Sequence, residues 1–342
     1  MPADRWSLYA LMLKSRLLED TIAKLWNDGL ISGEMHLGTG EEAVYAGVVS
    51  QLREGDAMAL DHRGTGPLMM RGVDPILILR ELLGKPDGLC GGKGGHMHLF
   101  SREHLSASSG IVGAAGPAAA GFALSAQYLR PGAVAVAFFG EGAMNQGMLL
   151  ESMNLASAWK LPVLFVCKDD DWSITTPSKT MTGGNLADRA RGLGIPAEEV
   201  DGLDVSAVSK AAASAIGRAR SGQGPAFLQA RCVHFEGHFL GYQLLRLTRH
   251  PLKEIPKIAI PLTRSLLRFG GAGWRERLAG MKTVLKATLS TWRDPREDQD
   301  NDPVRRARME LQSDRTRLRE MEGRVEKEIQ DALASALEGV SS

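Results

Sequence analysis

Two stretches decide the fold: AVAVAFFGEGAMNQG at 133–147 and ESMNLASAWKLPVLFVCKDDDW at 151–172. The apolar runs at 133–139 and 163–167 predict buried strands of a parallel sheet. The residues between them, 145–160, are enough for a crossover helix, which would make this a βαβ unit. We therefore predict an α/β fold, with a mostly parallel sheet and helices on both faces.

Both predicted strands end in acidic residues. Glu141 lies between Gly140 and Gly142 after the first strand, and Asp169–Asp171 follow the second. Parallel strands bring their carboxyl ends to one edge of the sheet, where α/β folds bind ligands. Carboxylates, glycines that permit close backbone approach and a following helix N-terminus together favour a magnesium ion bridging to a diphosphate.

The sequence motifs around these turns resemble those of a known protein family. The glycine–acid–glycine turn, GAMNQG and WKLPVLFVC resemble the alpha subunit of the dehydrogenase component of 2-oxo acid dehydrogenase complexes. That group includes the pyruvate, acetoin and branched-chain enzymes. The resemblance spans roughly residues 8–240 and resumes near 302. It implies the thiamine diphosphate-binding fold, with thiamine diphosphate and Mg²⁺ as cofactors.

The resemblance also implies which residues form the site. The metal ligands would be the side chains of Glu141 and Asp170 and the carbonyl of Trp172. His238 would be catalytic, because imidazole titrates near neutrality and can donate to a phosphate or a reacting oxygen. The cofactor-binding positions would be His62, Arg63, Gly110, Val112, Gly140, Glu141, Gly142, Ala143, Asp170 and His238.

By the same resemblance, the chain is one half of an active enzyme. It would be an oxidoreductase acting on an oxo group, decarboxylating a 2-oxo acid and passing the acyl unit to a lipoyl disulfide on an acyltransferase core. A beta subunit would complete the site with a glutamate that activates the aminopyrimidine ring. We therefore expect an α2β2 heterotetramer.

Several positions depart from the family pattern. Relatives usually carry Asp at Glu141, an Asn pair at Asp169–Asp170 and Arg at His234, while Thr65 and Pro67 replace a histidine motif. These departures leave two alternatives open. One is a diverged thiamine diphosphate subunit that performs carboligation or acyl transfer in a specialised pathway. The other is a non-catalytic assembly subunit.

His96 and His98 form a pair that could suggest a metal site. No third ligand follows them at a useful spacing. We therefore interpret His98 as structural or close to the substrate.

Bulk properties exclude several classes of protein. A net charge of +1 argues against a nucleic-acid binder, and no apolar run approaches the roughly 20 residues of a membrane span. The N-terminus lacks the pattern of a signal peptide. The three cysteines, Cys90, Cys167 and Cys232, lie in unlike contexts. We expect a cytoplasmic protein with no transmembrane segment.

The chain divides by composition. We predict a cofactor-binding α/β domain at 1–241, a basic inserted segment at 242–297 and a helical extension at 298–342. The insert is either a solvated excursion that packs on the host domain or a docking surface for an acidic partner, and an anionic membrane surface is the least favoured alternative. Within the first domain we expect a long functional loop at 84–109 and a strand at 192–200.

Overall fold

A seven-stranded sheet organises the computed structural model, which describes residues 4–174, 176–241, 273, 275–276, 279–280, 282 and 299–338. The strand order is β2-β3-β1-β4-β5-β9-β8, and every pairing is parallel except that of the edge strand β2 with β3. The β6–β7 pair forms a separate antiparallel hairpin. The strands are β1 Ala57–Leu60, β2 Phe100–Ser101, β3 Ser106–Ser108, β4 Ala135–Gly140, β5 Val163–Asp169, β6 Trp172–Ser173, β7 Thr176–Pro177, β8 Ala197–Asp201 and β9 Ala226–Arg231.

Helices cover both faces of this sheet, as the sequence predicted. Alternate side chains of β4 face opposite cores: Val136 and Phe138 enter one cluster, while Ala137 and Phe139 enter the other. Strands buried on both faces are typical of parallel sheets. The helices are α1 Arg5–Asn27, α2 Glu42–Val49, α3 Thr65–Met70, α4 Pro75–Leu82, α5 Ala115–Leu129, α6 Gly147–Ala158, α7 Ser178–Met181, α8 Leu186–Gly192, α9 Val205–Arg220, α10 Pro303–Glu310 and α11 Arg315–Leu337.

The predicted βαβ unit is present. Strands β4 and β5 pair in parallel, from Ala135 opposite Val163 to Gly140 opposite Lys168. The crossover begins with a 3-10 helix at Glu141–Asn145 and continues as α6. The prediction of an α/β fold with a mostly parallel sheet is confirmed.

Two local predictions were wrong. The strand expected at 192–200 begins only at Ala197, because α8 occupies the residues up to Gly192. Gly194 ends that helix with a φ of +77°, a conformation that glycine adopts at little cost. The expected loop at 84–109 contains the short strands β2 and β3, since β3 pairs with β1 through backbone hydrogen bonds that carry no side-chain signature.

The C-terminal helices pack on the α/β domain. Leu318, Met321, Val325 and Ile329 of α11 are buried in the same core cluster as α1. Arg16 of α1 donates to both carboxylate oxygens of Asp302, at 3.0 and 3.1 Å. The domain boundaries stay a prediction, and almost all of the basic segment 242–297 lies outside the described residues.

Candidate active site

The carboxyl ends of four neighbouring parallel strands meet at one edge of the sheet. Chain segments rich in acid and histidine leave β1, β4, β5 and β9 there. They are Asp61–Arg63, Gly140–Gly142, Asp169–Asp171 and Cys232–His234. Parallel strands in adjacent positions explain why residues so distant in sequence lie together.

Glu141 begins the 3-10 helix after β4 and is buried at this edge. Its Oε1 accepts hydrogen bonds from the Ser173 hydroxyl at 3.1 Å and the Ser178 hydroxyl at 2.6 Å. Burial, and after it the nearby charge of Asp170, raises the pKa of Glu141 to about 8. At neutral pH this carboxyl therefore holds a proton, which a divalent cation would displace.

Asp170 follows β5 and is ion-paired with His234, which follows β9. Asp170 Oδ2 lies 2.7 Å from His234 Nδ1. Burial opposes the charge on Asp170, but His234 holds its pKa below the usual range. The pKa of His234 is raised against burial and the charge of Arg63, because Asp170 and Glu41 both favour the imidazolium. This pairing favours the imidazolium form of His234, whose charge compensates the carboxylate at 170.

A buried network of charges continues from His234. Its Nε2 lies 2.7 Å from Oε1 of Glu41, whose other oxygen lies 2.7 Å from Lys168 Nζ. Lys168 also pairs with Asp61 at 2.9 Å and donates to the Tyr45 hydroxyl at 2.5 Å. Burial acts to raise the pKa of Glu41, yet Lys168 and then His234 hold it well below its usual range.

Sequence reasoning missed this network. A signal was present, because Lys168 interrupts an otherwise apolar buried strand, and buried lysines require partners. What the sequence could not supply was Glu41, which reaches Lys168 from the start of α2, far away along the chain.

Gly40 allows this loop to come close to the end of β9. It has a φ of +99°, and a Cβ built there would lie 1.8 Å from the carbonyl oxygen of Val233. Only glycine tolerates both the backbone conformation and the contact. The next residues on the two segments, Glu41 and His234, are therefore held within hydrogen-bonding distance.

Histidine rings gather beside the charge network. The His62 and His238 ring centroids lie 5.3 Å apart, and His36 lies 4.5 Å from His62 and 4.9 Å from His238. Burial, and after it the charge of Arg63, lowers the pKa of His36 to about 3 and that of His238 to about 4. These rings are neutral at physiological pH, so each can donate one N–H and accept at its other nitrogen.

Arg63 lies beneath these rings and is almost fully buried. Its guanidinium donates to the carbonyl of Leu37 and, at 2.8 Å, to that of His238. The Nε2 atom of His62 is buried without a hydrogen-bond partner among the described residues. A buried donor or acceptor without a partner is costly, and an anionic ligand at this edge would satisfy an N–H there.

The remaining predicted positions lie at the end of β4, in the 3-10 helix that follows it and in the turn before α5. A Cβ at Gly142 would lie 2.3 Å from the Ser173 hydroxyl, and a Cβ at Gly110 would lie 2.8 Å from the sulfur of Met97. Ala143 is buried, whereas Val112 is 56% exposed. The turn that contains Gly110 and Val112 leads into α5.

The donor set fits a hard cation and a diphosphate. Glu141 and Asp170 supply carboxylate oxygens from adjacent strand ends, and Trp172 lies in the hairpin that also supplies Ser173, one of the two serine partners of Glu141. Oxygen ligands of this kind suit Mg²⁺. The neutral His62 and His238 and the cationic Arg63 supply the donors and the positive charge that a diphosphate requires.

The sequence profile of the family described as "Dehydrogenase E1 component" matches residues 9–243. The chain belongs to the dehydrogenase E1 component family. The predicted family is confirmed, as is the prediction of an oxidoreductase of the 2-oxo acid dehydrogenase type. At the level of this family, thiamine diphosphate dependence is also supported.

Known relatives of this E1 component are alpha subunits. The alpha subunit of acetoin:2,6-dichlorophenolindophenol oxidoreductase from Cupriavidus necator is 42% identical over 246 residues, which cover 70% of this chain and 74% of the relative. The pyruvate dehydrogenase E1 component subunit alpha of Zymomonas mobilis is 36% identical over 266 residues, covering 76% and 75% respectively.

A solved structure agrees with this E1 component in fold alone. Transketolase from Campylobacter jejuni superposes with a TM-score of 0.51 at 16% identity, and the match covers 68% of this chain and 38% of the transketolase. Among the helices that the structure describes, none has the length and apolarity needed to span a membrane.

Proposed function

We propose that this chain is the alpha subunit of a thiamine diphosphate-dependent 2-oxo acid dehydrogenase of the pyruvate or acetoin type. The observation that carries the proposal is the pair of buried carboxylates, Glu141 and Asp170, at the ends of the adjacent strands β4 and β5. The proximity of Asp170 helps to raise the pKa of Glu141, which is the response expected of a site made for a cation.

In this proposal the two carboxylates and the Trp172 carbonyl would hold Mg²⁺. His62, Arg63 and His238 would hold the cofactor diphosphate, with close backbone approach at Gly140, Gly142 and Ala143. Gly110 and Val112 would offer their carbonyls to the aminopyrimidine ring. When bound, the cofactor supplies the electron sink for loss of carbon dioxide.

The charged and histidine side chains of the site have separate tasks in this arrangement. Arg63 supplies a fixed positive charge, since its terminal nitrogens are held by the Leu37 and His238 carbonyls. His238 is neutral and donates an N–H to the diphosphate or the substrate. The ion pair with His234 keeps Asp170 charged for the metal and limits its repulsion of the phosphate.

A beta subunit would complete the enzyme as an α2β2 heterotetramer, with a lipoyl acyltransferase as acceptor of the acyl group. Support comes from the relatives, which are alpha subunits, and from apolar surface near the site. Ile111 and Val112, which precede α5 on the site's side, are 61% and 56% exposed, while Tyr128 and Leu129, at the far end of α5, are 79% and 76% exposed. Exposed apolar surface of this kind suits a protein partner.

A second candidate function is a diverged subunit with a different acyl acceptor or carboligation partner. It is favoured by Thr65, which stands where the family pattern has histidine. Thr65 is buried, and its hydroxyl donates to the buried carboxylate of Glu19. A substrate contact expected from relatives is therefore replaced by a core interaction.

Calorimetric titration of thiamine diphosphate, with and without Mg²⁺, tests the proposal on the chain purified with its beta subunit. Glu141→Ala should abolish the magnesium-dependent part of binding, and Glu141→Asp should retain it. Glu103→Ala, which removes an exposed carboxylate before β3, is the matched control. Equal affinity in the Glu141→Ala variant would exclude this metal site, and absence of binding in the wild type would favour an assembly role.

A lipoyl-domain acceptor assay separates the two catalytic candidates. Reductive acylation of the lipoyl group from pyruvate or acetoin supports the main proposal. Cofactor binding combined with acyl transfer to another acceptor supports the diverged subunit.

A further inference from the structure

Three imidazoles from distant parts of the chain converge in the cleft. His36 precedes α2, His62 follows β1 and His238 follows β9, and one ring nitrogen from each can be chosen so that all three lie within 4.8 Å of one another. A fourth ring, His96, lies 2.9 Å from His36, from Nε2 to Nδ1, and stacks on it with centroids 5.2 Å apart.

We propose that His36, His62 and His238 form a binding site for a borderline divalent transition-metal ion such as Zn²⁺, Co²⁺ or Ni²⁺, with His96 as the residue that orients His36. This site is separate from the oxygen-rich magnesium site at Glu141. Imidazole nitrogen suits ions of this class, whereas magnesium prefers carboxylate and carbonyl oxygen. At one edge of the sheet, the imidazoles would therefore bind transition-metal ions and the oxygen ligands would bind Mg²⁺.

The three nitrogen atoms lie almost close enough together to bind one such ion. Zinc–imidazole bonds of about 2.0–2.1 Å in a tetrahedron place the nitrogens roughly 3.4 Å apart. Nitrogens up to 4.8 Å apart must therefore approach by about 1.4 Å, which small rotations of the three rings can supply. Three protein ligands leave the fourth position open to water, as in catalytic zinc sites.

The state of the rings also suits an ion. The pKa values of the three histidines lie well below neutrality, chiefly because they are buried, so protons do not compete at pH 7. His62 Nε2 has no hydrogen-bond partner among the described residues, so metal binding at that atom would break no existing contact. The contact of His36 with His96 matches the outer-shell hydrogen bond that orients metal-bound imidazoles.

Charges around the cluster act in both directions. Arg63 opposes a cation, and it is the largest charge acting on all three histidines. Asp61 favours a cation beside His62, and Asp170 and Glu41 favour one beside His238. On balance these charges do not favour a cation, because Arg63 outranks the acids at both His62 and His238, and His234 opposes a positive charge at His36 and His238 as well. The affinity must therefore come from the imidazole donors.

Occupation of this site would exclude thiamine diphosphate, a consequence that rests on the proposed function. His62 and His238 are the two imidazoles proposed to contact the diphosphate, and a ring cannot offer the same nitrogen to a metal ion and to a phosphate. Transition-metal ions would then inhibit the enzyme by blocking cofactor loading.

Cobalt chloride is the probe, added to the full chain with its beta subunit, without thiamine diphosphate and in excess Mg²⁺ so that oxygen sites are filled. We expect the intense visible d–d absorption of a four-coordinate Co²⁺ ion at one equivalent per chain. His36→Gln should weaken binding by at least tenfold, and His96→Gln by about tenfold, as outer-shell changes do.

His104→Gln is the matched control, because His104 lies in the β2–β3 turn and bonds to Ser101 instead. Thermal melting confirms that each variant is folded. Absence of the absorption, or equal cobalt affinity in the wild type and His36→Gln, would overturn the site.

Titration of the cobalt form with thiamine diphosphate tests the exclusion separately. Loss of the absorption as the cofactor binds supports exclusion, and retention of the absorption with the cofactor bound overturns it. A protein that binds cobalt but never the cofactor overturns the proposed function while leaving the metal site supported.

Discussion

Asp170→Asn measures how far His234 already compensates the charge at this position. The sequence alone predicts a large gain in cofactor affinity. An unpaired carboxylate about 5 Å from a phosphate charge, at an effective dielectric constant near 20, costs about 3 kcal/mol. Removing that charge would tighten thiamine diphosphate by over a hundredfold.

The structure predicts a smaller gain in cofactor affinity. His234 Nδ1 lies 2.7 Å from Asp170 Oδ2. With the imidazolium roughly 3 Å farther from the phosphate than the carboxylate, its attraction offsets about 2 kcal/mol of the repulsion. Asp170 is the acid that raises the pKa of His234 most, so we expect the imidazole of Asp170→Asn to lose its proton. The repulsion and the attraction are then lost together, the net gain is about 1 kcal/mol, and the cofactor should tighten by only about fivefold.

Calorimetry at saturating Mg²⁺ is the assay. Asp171→Asn is the matched control, since its side chain is 65% exposed and lies 3.9 Å from Lys179, and its affinity should be unchanged. In a His234→Gln background, Asp170→Asn should recover most of the larger gain, which gives a coupling energy of about 2 kcal/mol. A gain above a hundredfold with His234 intact would refute the compensation, and an additive cycle would refute the coupling.

Three further changes test the core and its charges. Burial raises the pKa of Glu19 to about 7, so this carboxyl costs no stability below its unfolded pKa near 4.5, and the cost grows as the pH rises to about 7. In urea unfolding, Glu19→Gln should therefore be more stable than the wild type by about 3 kcal/mol at pH 8 and about equally stable at pH 4. Equal gains at both pH values would contradict this. Lys168→Met leaves Asp61 without its ion-pair partner and Glu41 with His234 alone, and it should cost about 3–5 kcal/mol of unfolding free energy. Loss of the exposed pair at Arg191 should cost under about 1 kcal/mol. Asp302→Ala removes both the N-cap of α10 and one of the two carboxylate partners of Arg16, so proteolysis should release the C-terminal helices faster. An unchanged cleavage rate would show that apolar packing holds them.

The sequence predicted the parts of the fold that depend on local patterns. The apolar runs at 133–139 and 163–167 predicted the central strands, which the structure places at Ala135–Gly140 and Val163–Asp169. The short strands β2 and β3 were missed because two or three residues carry no periodicity. Their position depends on pairing with β1, which is a tertiary effect.

The candidate site was predicted only as far as family motifs reach. Glu141 and Asp170 were expected close together, and the structure places them within electrostatic reach of each other. The partners Glu41 and His36 were missed, since each lies in a loop far from its contacts in sequence. Pairing between residues so far apart in sequence depends on the tertiary fold and leaves no signal in a local sequence motif.

Gly40 has a consequence for how this family can vary. Because its missing Cβ sets the approach of one loop to the end of β9, the distance between Glu41 and His234 is determined by the backbone and not by side-chain choice. Homologues with a larger residue at this position must separate the two segments, and a histidine at 234 would then lose one of its carboxylates. We therefore expect glycine at 40, glutamate at 41 and histidine at 234 to be inherited together.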